Sequence, residues 1–519
     1  TDKESWVRFQ HDKSPSLYGV IEADLTDSTR LRAGIDYLKT GSDGGAWSAS
    51  PLYFRDGTRA HMPRSYSAAA RWNEWNREST NYFATLEQQL GAGWSGRLAY
   101  NHRATDTDSL LLAGSNTGNW ADAVTGLGLR IADTYSVSET REDAFDLYAS
   151  GPFQLFGRSH ELVVGINHYD RDLDTIRAGI TSRPYNVNAF PSIYEWDGNI
   201  GKPTTYNYGI PSSTVNTTET GYYAAVRLNP IDPLKIIAGA RYSDYRTTSD
   251  NYDVNGVFTS RSARTTAHEL TPYVGVLYDL SSSITAFVSY SDVFQATARR
   301  DINNQLLDPT TGGNYEYGLK GEFFGGRLYT ALDGCYMKQD NVAVADPAGT
   351  NIKLPDGSSP YIASKGITTQ GGEFEVSGSI TDHWSMTGGY TYSYSSNPDG
   401  SRFASTSPMH LARFNTTYSH GQWTVGGGVS VQSEIYQMQP IPTGRFNPNG
   451  TPVTATGRMS QGGYVLFDLM GRYRINDNLS VGVTVTTLFD KVYYRNVGFF
   501  NAGYWGEPRR VLFNLRAKF

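Results

Sequence analysis

The side chains that carry catalysis elsewhere are present here in no working order. Nine histidines stand at positions 11, 61, 102, 160, 168, 268, 383, 410 and 420. They form no H-E-x-x-H pair and no spacing that would set two imidazoles on one metal. Serine is common, yet no G-x-S-x-G elbow or Ser/His/Asp set is available to activate a hydroxyl. Cys335 is the single cysteine, so neither an intramolecular disulfide nor a thiolate-based metal site can form. What remains is recognition chemistry. Trp47, Tyr53, Trp72, Trp75, Trp120, Tyr194, Trp196, Tyr436, Tyr504 and Trp505 sit in or beside segments rich in Gly, Asn, Asp, Ser and Pro. Such rings offer broad faces with few rotors, which suits a large, partly planar and partly polar ligand. Arg55, Arg59, Arg64, Arg71, Arg77 and Arg183 lie nearby and would draw an anion, or simply be solvated.

Those segments need a frame. The 519 residues would make about three soluble domains by length alone. The composition points elsewhere: 54 Gly, 36 Tyr and 13 % aromatic residues, with only 39 % hydrophobic. Mean hydropathy is −0.46, and no run approaches the roughly 18 apolar residues of a membrane helix. Alternating barrel strands also average to near zero, so a transmembrane β-barrel stays open. The net charge of −6 with scattered basic residues argues against a nucleic-acid surface. The opening TDKESWVRFQ has no charged n-region followed by an apolar h-region.

The apolar period is two almost everywhere. Leu31, Ala33, Ile35 and Tyr37 alternate with Arg32, Gly34 and Asp36; Leu479, Val481, Val483 and Val485 alternate with Ser480, Gly482 and Thr484. This is the half-buried strand pattern. Short connections such as 25–29, 90–94, 229–233 and 475–478 alternate with long ones such as 40–78, 172–214, 339–362, 436–457 and 492–503. Tight turns on one rim and long loops on the other build a transmembrane antiparallel barrel. Nineteen strands are expected, from 16–26 through 504–519, with a remnant of another at 5–10. Tyr18, Tyr37, Tyr148, Tyr222, Tyr278, Tyr290, Tyr390, Tyr464 and Tyr493 fall where aromatic girdles belong. Arg32, Asp36, Lys235, Arg241, Glu316, Lys320, Glu322, Arg516 and Lys518 fall on the lumen side of the alternation.

GGNYEYGLKGEFFGGRLYTALDGCYMKQDNVAVAD (312–346), GGEFEVSGSITDHWSMTGGYTYS (371–393) and TTLFDKVYYRNVGFFNAGYWGEPRRVLFNLRAKF (486–519) run in the order found in TonB-dependent outer-membrane siderophore receptors. The chain resembles that family, and within it the pyoverdine and hydroxamate receptors. LYGVIEADLTDSTRLRAGIDY (17–37) extends the likeness to the start. There are departures: QATARR (295–300) lacks the usual proline, TTQGG (368–372) lacks the usual Arg and bulky apolar residue, and Thr487 stands where Asn is common.

The resemblance implies an all-β, 22-strand type of barrel in the outer membrane of a Gram-negative bacterium. On that reading residues 1–519 are strands four to twenty-two. The energy-coupling box, the plug and the first three strands are then expected outside this chain. The implied activity is uptake of a ferric siderophore, energised through TonB and the proton-motive force, with no bond made or broken and no enzyme chemistry. Iron would arrive inside the siderophore, with no cofactor or metal held by protein side chains. Implied partners are the siderophore, the TonB complex, lipopolysaccharide and outer-membrane lipid, the barrel assembly machinery through the terminal Phe519, and a phage or bacteriocin. Packing and ligand contact are equally open for any one ring of the ten. For Trp47, Tyr53, Trp72, Trp75, Tyr194 and Trp196 together, ligand contact is favoured. The competing reading is a plug-free wide pore passing solutes by diffusion.

Overall fold

The computed structural model describes residues 2–47, 49–115, 118–253, 255–262, 265–349, 352, 354, 358–498 and 501–518. Phe519 lies outside them. One antiparallel sheet carries 22 strands, three of which are pieces of three or four residues (Asp2–Glu4, His11–Lys13 and Phe258–Arg261). The other nineteen form the wall. In chain order they are β1 Ser16–Thr26, β2 Thr29–Asp43, β3 Glu74–Gly91, β4 Trp94–Ser115, β5 Arg130–Leu155, β6 Arg158–Ser182 and β7 Thr205–Ile231. Next come β8 Leu234–Tyr252, β9 Thr265–Asp279, β10 Ile284–Gln295, β11 Thr310–Phe323, β12 Leu328–Asp340 and β13 Ile367–Ser379. The wall finishes with β14 Trp384–Ser396, β15 His410–His420, β16 Trp423–Gln432, β17 Tyr464–Arg474, β18 Leu479–Thr486 and β19 Arg510–Ala517. Each pairs with its sequence neighbour, as the alternating turn lengths require. Among the described residues β1 pairs in this wall with β2 alone and β19 with β18 alone, and every position of both is exposed. The expected remnant at 5–10 is instead the turn between the short strands, of which His11–Lys13 caps the upper end of β2.

Tight turns follow backbone chemistry. Leu155 pairs with Arg158 across Phe156 and Gly157, whose φ values are 52° and 75°. Two successive positive φ angles match the strand twist, and glycine accepts one of them without strain.

Outward rows are apolar and exposed, as a lipid-facing surface must be: Tyr317 and Leu319 on β11, Leu332 on β12, Phe374 on β13, Phe513 and Leu515 on β19. Inward rows are polar and internally paired. Arg32 meets Glu22 at 2.5 Å, Arg241 meets Glu219 at 2.9 Å and Lys235 meets Asp279 at 2.6 Å. The girdle expectation needs correction at four tyrosines. Tyr18, which pairs with Asp36, and Tyr148 and Tyr464 take the inward parity of their strands, and Tyr493 is buried against Tyr464 with ring centroids 4.3 Å apart.

Candidate functional site

The loops above the wall fold on one another. The first long loop (44–73), the segment 118–129 and the segment 183–204 enclose Phe54, Met62, Tyr66, Leu112, Leu129, Ile131, Phe190, Ile193 and Trp196. Apolar side chains at this level are removed from water by neighbouring loops, and the burial stabilises the loops as a layer. A second cluster joins Leu52 of the first loop to Ile435 and Met459 of the hairpin at 435–461, and to Tyr494 and Val497 of the last loop. Strand Ala502–Trp505 pairs with Ser50–Pro51, so the last loop is hydrogen-bonded to the first.

The arginines of the first loop act as ties within this layer. The Arg64 guanidinium holds both oxygens of Asp490, with Nη2 2.9 and 3.0 Å away, and the Arg509 backbone N–H donates to the same carboxylate at 2.8 Å. Arg59 donates to the Tyr53 hydroxyl at 3.1 Å and to the Ser460 carbonyl at 3.2 Å. Arg55 reaches the Gly450 carbonyl at 2.9 Å and lies over the Phe446 ring. Arg71 binds the Asp197 carbonyl, and Arg183 pairs with Asp133.

The donated hydrogen bonds from Arg64, and then the Arg509 amide, hold the Asp490 carboxyl down to about 2. A depressed pKa means the tie is fully present above the ordinary carboxylate range and is lost only as pH falls through about 2. Amide protection in residues 490–509 is therefore expected to hold at pH 4 and to collapse near pH 2, whereas Asp490→Asn should lower it throughout the range above about pH 2. Collapse of the wild type between pH 5 and 4 would contradict this.

The ten aromatic candidates separate into groups. Trp196 is 3 % exposed, tilts against Phe190, and donates its indole N–H to the Ala69 carbonyl at 2.9 Å. Trp72 packs on the same cluster and donates to the Ile200 carbonyl at 2.8 Å. Both are fastened as packing residues of the roof. Tyr194 is half exposed with its hydroxyl on the Ala123 carbonyl at 2.7 Å. Trp75 stands exposed on β3, on the inward parity shared with Arg77 and Phe83. Trp120 is half-buried, with its indole nitrogen unpaired among the described residues. Tyr436 belongs to the hairpin at 435–461 and lies under Arg458 at 3.8 Å and Arg402 at 5.9 Å.

Trp47, Tyr504 and Trp505 come together. The Tyr504 hydroxyl donates to the Trp47 carbonyl at 3.2 Å, and Trp505 stacks on Tyr494 with centroids 3.8 Å apart. Tyr53 packs on the same second cluster. Beside them, where residues 3–12 meet the first and last loops, lies a cavity of 280 Å³ lined by Trp6, Arg64, Tyr66, Arg495, Tyr504 and Trp505 among others. Around it the Trp6 and Trp505 indole nitrogens, the Ser50 hydroxyl and the Tyr66 hydroxyl are buried with no hydrogen-bond partner among the described residues. Burying such groups unpaired costs about 1–3 kcal/mol each. Arg495 lines the cavity and forms no ion pair among the described residues. Trp6 and Arg495 escaped the sequence reading. Nothing local distinguishes them, because the cavity is assembled from segments over 400 residues apart.

The chain matches the family model described as "TonB dependent receptor-like, beta-barrel" over residues 18–488. It belongs to that family. This TonB-dependent receptor barrel is 34 % identical over 533 residues to the ferripyoverdine receptor of Pseudomonas aeruginosa, covering all of this chain and 61 % of the relative. The solved structure of the outer-membrane ferripyoverdine receptor of Pseudomonas aeruginosa bound to ferripyoverdine superposes with a TM-score of 0.87 at 32 % identity, covering 99 % of this chain and 66 % of that one. The FpvAI–pyocin S2 complex superposes with a TM-score of 0.85 at 31 % identity, covering 99 % and 67 %. The receptor barrel thus spans about three fifths of the length of the curated relatives it matches. Family and fold together place the barrel in the outer membrane, with the layered loops on the extracellular rim.

Proposed function

We propose that this chain is the barrel part of a receptor that takes up a ferric siderophore across the outer membrane, energised through TonB. The observation that supports it is the 280 Å³ cavity between the first and last loops, walled by Trp6, Tyr66, Tyr504 and Trp505 and faced by Arg495. A ferric chelate with anionic oxygen atoms would satisfy the unpaired donors, and the rings would cover its planar part. The relatives named for ferripyoverdine give the same direction. Residues 1–519 serve as strands four to twenty-two of a 22-strand barrel, whose first strands lie between β19 and β1. The exposed, singly paired edges of those two strands support this division. Of the ten aromatic candidates, Tyr504 and Trp505 line the cavity, Trp47 is hydrogen-bonded to Tyr504, and Tyr53 packs on the second cluster beside Trp505. Trp75, Trp120, Tyr194 and Tyr436 would contact the chelate only at its margin.

The remaining partners follow from the same reading: lipopolysaccharide around the upper rim, the assembly machinery at the terminal strand, and a pyocin-like bacteriocin on the loops, as one relative's complex suggests. In the full-length protein, Arg495→Ala and Trp505→Ala are each expected to raise the Kd for a ferric siderophore about 10- to 100-fold, the value of one hydrogen bond to a charged group. Heat-modifiable mobility on gels should stay unchanged. Wild-type affinity in both variants would remove the cavity from the site. Large ohmic conductance by the full-length protein, with no siderophore binding, would favour the diffusion pore instead.

A further inference from the structure

The turn that follows β18 is held against its own backbone preference. Thr487 and Asp490 both take left-handed φ angles, 49° and 51°. That region is uncommon outside glycine, and a β-branched side chain there is an outlier. Asparagine, which the family resemblance places at Thr487, enters it more readily. Thr487 is buried. Three hydrogen bonds pin the turn from its own strands. The Leu488 N–H donates to the Phe467 carbonyl at 2.7 Å, the Thr487 N–H to the Asp468 carboxylate at 2.8 Å, and the Asp490 N–H to the Thr487 carbonyl at 2.8 Å. The fourth constraint is the Asp490 side chain, which accepts from Arg64 and from the N–H of Arg509, the residue just before β19.

Arg64 also belongs to the cavity between the first and last loops. Charge around that cavity is balanced: Lys3, Arg64 and Arg495 stand against Asp12, Glu507 and, held by Arg64, Asp490. Of these six, only Arg64 and Asp490 form an ion pair among the described residues. An anion entering the cavity therefore meets a guanidinium that is already neutralised. It competes with Asp490 for the same N–H groups, because the fork of arginine suits carboxylate oxygens and the oxyanions of a chelate alike.

We propose that Arg64 is a binding residue held in reserve by Asp490. An anionic chelate in the cavity draws the guanidinium to itself, and Asp490 loses its charged partner. The strained turn at 487–490 then opens together with the Arg509 contact, so binding at the mouth is coupled to the upper end of the last hairpin. The coupling is reciprocal: whatever fixes Asp490 on Arg64 weakens the ligand, and whatever frees Arg64 strengthens it. The inference rests on the reading of the cavity as the site of a ferric siderophore.

The test measures Kd and amide exchange on the full-length protein, with a panel of ferripyoverdines as the probe, the class named for four of the relatives. Asp490→Asn keeps the shape of the side chain and removes its charge, and Kd is expected to fall about five- to tenfold, the lower end of couplings between sites. In an Arg64→Gln background, which itself binds more weakly, adding Asp490→Asn should change nothing. Thr487→Asn relaxes the turn around Asp490 and should raise Kd about threefold. A purely structural tie gives the opposite sign for Asp490→Asn, weaker binding through a loosened loop. In the wild type, bound ligand should speed amide exchange at 488–491 and Arg509 about tenfold and slow it in residues 3–12. An unchanged or raised Kd in Asp490→Asn, an equal gain in the Arg64→Gln background, or slower exchange of the turn on binding would overturn the proposal. In each of those cases the chelate still binds and the receptor reading stands. A folded wild-type protein that binds none of the panel would remove both.

Discussion

Replacing Trp196 with alanine is expected to loosen the roof of the mouth while the wall stands. The ring is 3 % exposed and fixed by the Ala69 carbonyl, and it packs in a cluster joining three loops to Leu112 of β4 and Ile131 of β5. A change of this size in a packed core costs about 3–5 kcal/mol. The stranded Ala69 carbonyl adds about 1 kcal/mol. The loss should appear as local opening of the loops. Amide exchange in residues 60–72 and 186–200 is expected to accelerate a hundredfold or more, with β5 and β6 still protected below the loops. If exchange is unchanged and siderophore affinity falls instead, Trp196 is a ligand contact and its packing role is minor.

The second large effect is on the wall. Leu332 points outward from β12 and is 56 % exposed, flanked by Leu319 on β11 and Phe374 on β13 in one lateral row. It stands a few residues above the turn at 324–327, near the middle of the apolar band. Leu332→Arg is expected to destabilise the folded barrel in bilayers by about 2–4 kcal/mol, the midplane cost of a lipid-facing arginine. Leu332→Phe, which keeps an apolar surface toward lipid, should stay close to wild type. Equal stability of the two variants in chemical unfolding from lipid vesicles would mean that this row does not face the membrane.

The wall was legible because lipid on one side and water on the other impose a period of two on every strand. All nineteen wall strands fall where that alternation puts them. Their upper ends do not. The pattern starts β3 at 79 and β7 at 215, whereas the observed strands run from Glu74 and Thr205. Above the apolar band both faces meet water or loops, so side-chain alternation fades while backbone pairing continues. The hairpin at 435–461 shows the same limit. Only 458–461 of its second strand, Pro452–Gln461, carry the alternation, which runs on into β17 although Gly462 and Gly463 separate the two strands.

The site was legible by residue type and not by role. Trp196 and Trp505 look alike in sequence. One is sealed against Phe190, while the other stacks on Tyr494 beside a cavity. The loop arginines look like bait for an anion, yet Arg55, Arg59, Arg64 and Arg71 are spent on partners inside the loop layer. What separates the cases is a set of contacts between distant segments, which no local pattern encodes.

The bonds between the first and last loops bear on the order in which the molecule matures. Arg64 and Asp490 are 426 positions apart, and Trp47 and Tyr504 are 457 apart. Contacts of such separation carry a large loop-closure entropy until intervening strands have been registered. The recognition surface is therefore expected to be the last part of the chain to become native. A barrel stalled before its final hairpin would have most of its wall and no mouth, and a ligand would ignore it.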